Sequence, residues 1–391
     1  SGPRGPQRPR GPERNIPREP DRPPDRREPR GPQPPGPRPR PPQPGLTPGA
    51  ASTTGATTLA SLNDRWGRLA GKLSLGDQLG QLEDLTSDIS KLSTYLSELR
   101  TRGFRYGLGW EERVETLQSR WIGQGPKVDL FERRLVEVLS LHSAPVAVGA
   151  TTDALHLAYV LAGIGAGDEV ISPVFTCTAT NLPLFHQGAT IRFADVQPDT
   201  MNIDPEHVRS LVTDRTKAIV CMHYGGFPCD MDELREIAGQ RGIPVIEDAA
   251  HAFGASYKGA KIGDISEYTV LSFQAVKHIS TGDGGMLLLK DHAMAERAKR
   301  LRFFGIDRKA KFGGYWENDI TEAGFKYQMN DVAASIGLAA LEHFEWIMSH
   351  RRSLWQRYVE RLANVSDVEC LGAGKPDREH AAWLMTVAVD R

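Results

Sequence analysis

The sequence predicts an α/β fold with a mostly parallel sheet and helices on both faces, and three observations support this. From about residue 104, short apolar segments alternate with helix-period stretches such as 151–163 and 231–241. Strands that alternate with helices are typical of parallel sheets, whose strands are apolar because both faces are buried. The unusual polar motifs all lie where an apolar segment ends, which is where ligands bind in such sheets. The predicted strands are APVAV, DEVISPVF, TIRFADV, KAIVCMH, IPVIEDA and YTVLSF.

Length and composition limit the class of protein. The chain has 391 residues, enough for two domains or one large domain with an appendage. Its formal net charge of −1 gives no support to nucleic-acid binding. We expect no membrane span and no secretory leader, because the matching apolar runs are missing from the sequence. We also expect reduced thiols, a cytoplasmic location and no metal site, since the cysteines lack metal-ligand spacing: Cys177, Cys221, Cys229 and Cys370.

Two segments before residue 104 differ from the rest. Residues 1–55 are predicted to form a disordered arm, because residues 1–50 hold 18 of the 27 prolines and 11 Arg against 5 Asp and Glu. The arm is either a basic tether for an acidic partner, or a spacer or mis-called coding sequence. Residues 56–103 repeat leucine at three- and four-residue steps, which predicts an amphipathic helix or helical hairpin. This predicted helical segment would either pack on the main domain or form a short coiled coil.

The segment VAVGATTDALHLA predicts an anion site. A strand ends at Val148, and Thr151, Thr152 and Asp153 then open a helix. The exposed N–H groups and the dipole of a helix N-terminus suit a phosphate group. Thr and Asp are also common helix caps, so the motif alone has a structural interpretation too.

Two further motifs place an acid and an amine at strand ends. In IPVIEDAAHAFGA, buried strand residues lead directly to Glu247 and Asp248, and a carboxylate there needs a cation or several donors. In LSFQAVKHISTGDGG, Lys277 follows a strand, and a desolvated lysine is a nucleophile towards aldehydes. Each has a structural alternative: an acid satisfied by amides, and a surface lysine. Together with the anion site and the Ser272 hydroxyl, they supply what pyridoxal phosphate requires.

On these residues, and on longer segments, the chain resembles the DegT/DnrJ/EryC1/StrS aminotransferases from about Gly109 to the C-terminus. The resemblance implies the pyridoxal-phosphate-dependent transferase fold type I, the aspartate-aminotransferase-like fold. Residues 104–345 would form the cofactor-binding large domain, and residues 346–391 the start of a small C-terminal domain. The longer segments are RWIGQGPKVDLFE, GIGAGDEVISPVFT, GATIRFADVQPDTMNIDPE, TKAIVCMHYGGFPCDMDEL and AGFKYQMNDVAASIGLAALEHFE.

The resemblance also implies roles for single residues. Lys277 matches the lysine that bonds the cofactor and shuttles the proton, and Asp248 matches the acid that keeps the ring nitrogen protonated. Thr152 and Asp153 match the backbone phosphate site, and Ser272 its hydroxyl partner. His251 would lie beside the cofactor ring and Ala250 under one face. Ser272 and His251 also have structural alternatives, as a strand-end residue and a packed core histidine.

One position departs from the family pattern. Cys177 stands where many members stack an aromatic residue on the cofactor, so we expect a looser cofactor or a reshaped sugar pocket. Its thiol is either a packing atom or a reactive group.

The resemblance implies an enzyme that moves an amino group from L-glutamate to a nucleotide-linked keto-sugar. The segments SFQAVKHIS and GFKYQMNDVAA look most like members acting on 4-keto-sugars. Members are homodimers with shared active sites, and the glycine-rich loop 303–327, with Lys326 and Tyr327, is the candidate for binding substrate.

Two rival functions remain open at this point. A sugar dehydratase of the same fold would carry histidine at the lysine position, and Lys277 argues against it, although His278 is adjacent. A non-catalytic protein would use the arm and the helical segment to tether a partner. Because the chain stops at Arg391, where family members continue, we expect a shortened small domain.

Overall fold

A computed structural model describes residues 115–119, 121–308, 320 and 322–389. The predicted arm 1–55, the leucine-rich segment 56–103 and most of the middle of loop 303–327 lie outside the described residues.

A seven-stranded sheet forms the centre, in the order β1-β9-β8-β5-β4-β2-β3. All six predicted strands are present, and neighbours among β3, β2, β4, β5 and β8 are parallel. The seventh strand, β9, is antiparallel to both of its neighbours. The predicted fold class is thus confirmed. The strands are β1 Ala144–Val148, β2 Glu169–Pro173, β3 Thr190–Ala194, β4 Thr216–Met222, β5 Val245–Asp248, β8 Tyr268–Ser272 and β9 Gly285–Leu289.

Helices cover both faces of the sheet. Alternate strand residues therefore contribute to two separate cores, one on each face. Ala147, Ile219 and Leu288 belong to one core, and Val146, Val220 and Leu287 to the other. Successive side chains of a strand point to opposite faces, so a strand buried on both sides is apolar throughout. The helices are α1 Pro126–Leu139, α2 Thr151–Leu161, α3 Thr178–His186, α4 Pro205–Leu211, α5 Met231–Gly239, α6 His292–Leu301, α7 Asp331–Leu341 and α8 Phe344–Leu362.

The C-terminal segment REHAAWLMTVAVDR does not form one continuous strand. It holds two short strands, β11 (Arg378–Glu379) and β12 (Val387–Val389), which belong to different sheets. Strand β11 pairs with β6 (Ser256–Tyr257), which also pairs with β7 (Ala260–Lys261). Strand β12 pairs with β10 (Val368–Cys370). Strands this short carry no readable alternation, and the residues between them hydrogen-bond to the turns after β4 and β8.

No helix among the described residues has both the length and the apolar character needed to cross a bilayer.

Candidate functional site

The N-terminus of α2 offers free backbone donors at the end of β1. Helix α2 begins at Thr151, and its N-cap residue Ala150 has no side chain that could accept from the first turn. Among the described residues, the N–H groups of Thr151 and Thr152 have no hydrogen-bond partner. These donors and the helix dipole make this turn the candidate anion site.

Strand β9 presses closely against this turn. Gly285 begins β9, and a Cβ atom there would lie 2.7 Å from the Ala150 carbonyl oxygen and 2.8 Å from the Thr151 Cα. Gly285 is in register with Ser272, the last residue of β8, and with Val148. The Ser272 hydroxyl accepts only a long hydrogen bond of 3.4 Å, from the Gln274 N–H. The buried Ser272 therefore ends its strand opposite the residue that packs on this turn.

Asp153 has a different contact from the one that the resemblance implies. Its N–H donates to the Ala150 carbonyl oxygen at 3.1 Å, so the free donors of the turn are those of Thr151 and Thr152. Burial raises the pKa of the Asp153 carboxyl to about 6, against a hydrogen bond from the Ala150 backbone. This back-bond from the third helical residue to the N-cap backbone is one half of a capping box, and the other half is missing because Ala150 has no polar side chain.

Asp248 ends strand β5 as a buried carboxylate without an ion pair to any described residue. Its Oδ2 accepts from the Thr180 hydroxyl at 2.7 Å, and its Oδ1 accepts from the Ala250 N–H at 3.1 Å. Burial raises its pKa, opposed by those two hydrogen bonds and by the Lys277 charge. A carboxylate in this setting still has acceptor capacity for a cationic donor.

Glu247 points to the opposite face of the sheet, as alternation along a strand requires. Its carboxylate receives hydrogen bonds from His223 Nε2 at 2.9 Å, the Ser266 N–H at 2.9 Å and the Thr269 hydroxyl at 3.2 Å. Burial opposes its ionisation, but the hydrogen bonds from His223 and Ser266 outweigh burial and lower its pKa. Glu247 therefore anchors the strand that presents Asp248.

The fold brings two cysteines closer to a histidine than their sequence spacing indicates. Possible ligand atoms of Cys221, His223 and Cys229 all lie within 4.8 Å of one another, and all three residues are buried. Both nitrogens of His223 are already used, because Nδ1 accepts the Cys229 N–H at 3.0 Å and Nε2 bonds to Glu247. We interpret the cluster as a hydrogen-bonded part of the core.

Lys277 lies in the turn between β8 and β9, half-buried at the same end of the sheet. Burial lowers the pKa of its amine, opposed by electrostatic interactions with Asp248 and Cys177. The predicted acid and amine are therefore neighbours in space, although 29 positions separate 248 from 277 in the chain. Cys177, at the N-cap of α3, is exposed and belongs to the same group.

An aromatic row borders Lys277 and includes residues that the sequence reasoning missed. The Lys277 Nζ lies 3.7 Å from the centre of the Trp383 ring, and this ring stacks on His251 at 3.7 Å and 20°. Tyr224 follows 6.3 Å from His251, and Phe175 lies 5.0 Å from Tyr224. Burial, with the Lys277 charge, lowers the pKa of His251 to about 3, so its ring is neutral.

Two of the missed residues had weak signals in the sequence. Thr180 lies within FTCTATN, a polar run after a strand, where its hydroxyl looks like one of several helix caps. Trp383 stands alone among small residues in HAAWLM, more than 100 positions after Lys277. Nothing in the periodicity of either segment indicates which strand end it meets.

Lys326 and Tyr327 have no described contact with Lys277 or Asp248. The exposed Lys326 Nζ lies 5.0 Å from the Phe303 ring and 5.4 Å from the Phe304 ring. The Tyr327 hydroxyl bonds to His156 Nδ1 at 2.9 Å, while its carbonyl oxygen accepts the Gly149 N–H at 2.7 Å. Tyr327 therefore supports the turn before the anion site through its backbone.

The residues of this site fit pyridoxal phosphate. The free N–H groups of Thr151 and Thr152 suit a phosphate, and the unpaired carboxylate of Asp248 suits a protonated ring nitrogen. The Nδ1 atom of His251 is buried without a hydrogen-bond partner among the described residues, so it is available to a polar group of a ligand. The amine of Lys277 completes the set.

Comparison with known proteins agrees with this geometry. Residues 110–391 match the DegT/DnrJ/EryC1/StrS aminotransferase family. The spore coat polysaccharide biosynthesis protein SpsC of Bacillus subtilis is 40% identical, with 72% of each chain covered. The sugar aminotransferase CalS13 of Micromonospora echinospora is 32% identical, with a TM-score of 0.67 over 72% of this chain and 77% of its own. A Streptococcus pneumoniae protein solved in its PLP form is 31% identical, with a TM-score of 0.67 over 72% and 75%.

Proposed function

The chain belongs to the DegT/DnrJ/EryC1/StrS aminotransferase family, whose cofactor is pyridoxal phosphate, and we propose that it aminates a nucleotide-linked 4-keto-sugar with L-glutamate as donor. The observation that carries this proposal is the juxtaposition of a desolvated amine, Lys277, with a buried carboxylate, Asp248. Perturbed titratable groups of this kind collect at catalytic sites.

Each residue has a proposed role that follows from its surroundings. Bound pyridoxal phosphate supplies an aldehyde that bonds to amines and a protonated ring that accepts electrons. Thr151, Thr152 and Ser272 would hold its phosphate, Asp248 its ring nitrogen, and Ala250, His251 and Cys177 would surround the ring. The amine of Lys277 would accept a proton from the substrate carbon and return it. A lowered pKa makes that amine an effective base near neutral pH.

The sugar part of the proposal is supported by the relatives. SpsC is named for polysaccharide biosynthesis and CalS13 is a sugar aminotransferase. The 4-keto position and the nucleotide are proposed from the family resemblance of SFQAVKHIS and GFKYQMNDVAA. Lys326 and Tyr327 are proposed as substrate residues from a partner subunit, since their described contacts lie away from Lys277.

A homodimer is part of the proposal, and the surface around α3 supports it. Large apolar side chains are exposed there, on α3, on the edge strand β3 and after β2: Val174, Phe175, Leu182, Phe185 and Phe193. Phe185 is 71% exposed. Exposed large apolar side chains on neighbouring elements are typical of a protein interface.

The direct test incubates the purified full chain with pyridoxal phosphate, L-glutamate and a panel of nucleotide-linked 3-keto- and 4-keto-sugars. We expect 2-oxoglutarate and an amino-sugar from a 4-keto substrate, and neither product from the Lys277→Ala variant. Loss of a hydroxyl without amine transfer would indicate the dehydratase. A cofactor-loaded protein that turns over no sugar would contradict the proposal and favour the non-catalytic alternative.

A further inference from the structure

Residues 380–384, here called the strap, cross the site and place Trp383 against Lys277. The Lys277 Nζ lies 3.7 Å from the ring centre, within the range of a cation–π interaction. The indole is itself fixed, because its Nε1–H donates to the Val276 carbonyl oxygen at 3.1 Å and its ring stacks on His251. Trp383 thus has a defined orientation towards the amine.

The strap is bonded to both chain neighbours of Lys277. Trp383 donates to Val276, and His278 Nε2 bonds to the Ala381 carbonyl oxygen at 2.8 Å. Burial lowers the pKa of His278 to about 3, so this ring is neutral and its Nε2–H is the donor. The turn that carries the amine and the strap that carries the indole are therefore held as one unit.

The other side of the strap is anchored on a glycine turn. The N–H groups of Ala381 and Trp383 donate to the carbonyl oxygens of Gly226 and Gly225, at 2.9 and 3.1 Å. A Cβ atom on Gly226 would lie 2.7 Å from the His251 carbonyl oxygen, so only glycine permits this approach. Ala382 has a φ of +55°, a left-handed conformation that is strained for a non-glycine residue. Such strain persists where surrounding contacts impose it.

We propose that the indole face of Trp383 is the seat of the free Lys277 ammonium, which makes Trp383 a positioning residue for the proton-carrying amine. The inference rests on the proposed function, in which Lys277 is released from the cofactor during part of each cycle. While released, the amine takes up a proton from the substrate carbon and must stay within reach to return it. A flat electron-rich face holds the ammonium there without accepting its proton.

The other described groups around Lys277 provide no ion pair for its ammonium, so the contact with the indole face matters for the amine's charge. Asp248 and Cys177 act on the amine electrostatically, while His251 and His278 are neutral, each with a pKa of about 3 caused first by burial. No described residue forms an ion pair with Lys277. Among the described residues, Trp383 is thus in contact with the charged amine and stabilises it. Asp248 is also the proposed partner of the cofactor ring nitrogen.

The test measures the titration midpoint of Lys277 in the pyridoxamine-phosphate-loaded full chain, by trace acetylation across pH and mass spectrometry of the Lys277 peptide. Trp383→Leu removes the π face but keeps an apolar side chain, and Trp383→Phe keeps a smaller π face. Trp346→Leu, on α8, is the matched control.

We expect Trp383→Leu to lower the midpoint by about one pH unit, a tenfold larger unprotonated fraction, with Trp383→Phe in between and Trp346→Leu unchanged. An unchanged or higher midpoint in Trp383→Leu would overturn the proposal, since the indole would then act only by excluding water. If the leucine variant does not fold, incorporation of 5-fluorotryptophan weakens the π face without changing its shape, and the same downward shift is required.

The two proposals fail in different ways. Amine transfer that persists in Lys277→Ala contradicts the proposed function, whatever the midpoint shows. If the enzyme needs Lys277 but the Lys277 titration midpoint is unchanged by substitution of Trp383, only the proposed positioning role of Trp383 is contradicted.

Discussion

At the scale of single residues, the site depends on how one buried carboxylate is kept charged. Burial disfavours the charged form of Asp248 and raises its pKa. Hydrogen bonds from the Thr180 hydroxyl and the Ala250 N–H favour the charged form. Hydrogen bonds to charged groups contribute about 1.5–3 kcal/mol each. The Thr180 hydroxyl is therefore able to move the Asp248 pKa measurably.

Thr180→Val keeps the shape of the side chain and removes this hydrogen bond. The carboxylate loses a donor to its charged form, so the pKa of Asp248 rises. We expect the acidic limb of the pH profile of kcat/KM to move to higher pH by about one unit. A profile that only falls in height, with its acidic limb in place, would contradict this account of Thr180.

Some features of single site residues follow from the sequence, and others do not. The placement of Asp248 and Lys277 at one edge of the sheet was predictable, because Asp248 ends one apolar strand and Lys277 lies in the turn after another. Parallel strands bring their carboxyl ends to one edge. The position of Trp383 was not predictable, because its partners are set by how separate segments pack together. The Cys221–His223–Cys229 cluster was not predictable either, because it depends on the path of the turn after β4. The turn at the start of α2, with its unpaired N–H groups, was predictable. The hydrogen bond between the Asp153 carboxyl and the Ala150 backbone was not, since it depends on the rotamer of one side chain.

At the scale of elements, the contact of β9 with the start of α2 shapes the anion site. Gly285→Ala would place a methyl group 2.7 Å from the Ala150 carbonyl oxygen, so the turn must shift. We expect a loss of about 1–3 kcal/mol in the free energy of unfolding and weaker cofactor binding. Gly239→Ala is the control, since nothing lies within 4 Å of its added methyl group. Equal effects of the two changes on cofactor binding would refute this role of Gly285.

The start of α2 should also make stability depend on pH. The folded pKa of Asp153 is about 6, above the value of 3.8 expected without the fold. An acid with a raised pKa stabilises the fold when protonated, and this contribution is lost as pH rises from about 4 through 6.

Asp153→Asn removes that titration but keeps an acceptor for the Ala150 N–H. We expect equal free energies of unfolding for variant and wild type near pH 4, and a variant more stable by about 1 kcal/mol at pH 7, after allowance for partial exposure. Urea unfolding at both pH values measures the difference. A variant that is less stable at pH 7 would show that the carboxylate itself is needed at the cap.

At the scale of the whole molecule, the exposed apolar surface around α3 needs a partner, and a second copy is the proposed one. Phe185→Glu places a charge at its most exposed phenylalanine. We expect sedimentation velocity to show a dimer for the wild type and a monomer for the variant, with an unchanged far-UV spectrum. Glu236→Gln on α5 is a surface control that should remain dimeric. A monomeric wild type would contradict the proposed assembly.

The small sheets show the limit of prediction at this scale. Strands β6, β7, β10, β11 and β12 have two or three residues each, too few for a pattern of alternation. Two small sheets result, β11-β6-β7 and β10-β12, and in the first the segment after α8 pairs with the earlier strand β6. The long β strands follow from local composition, but the return of the C-terminal segment follows only from tertiary contacts.

The central claim is that Lys277 is the amine that bonds the cofactor. Borohydride reduction of the loaded full chain, followed by peptide mass spectrometry, locates this bond. We predict the cofactor mass on the peptide that contains Lys277, and its absence in Lys277→Arg. Cofactor fixed to another lysine, or bound tightly with no lysine modified, would contradict the account.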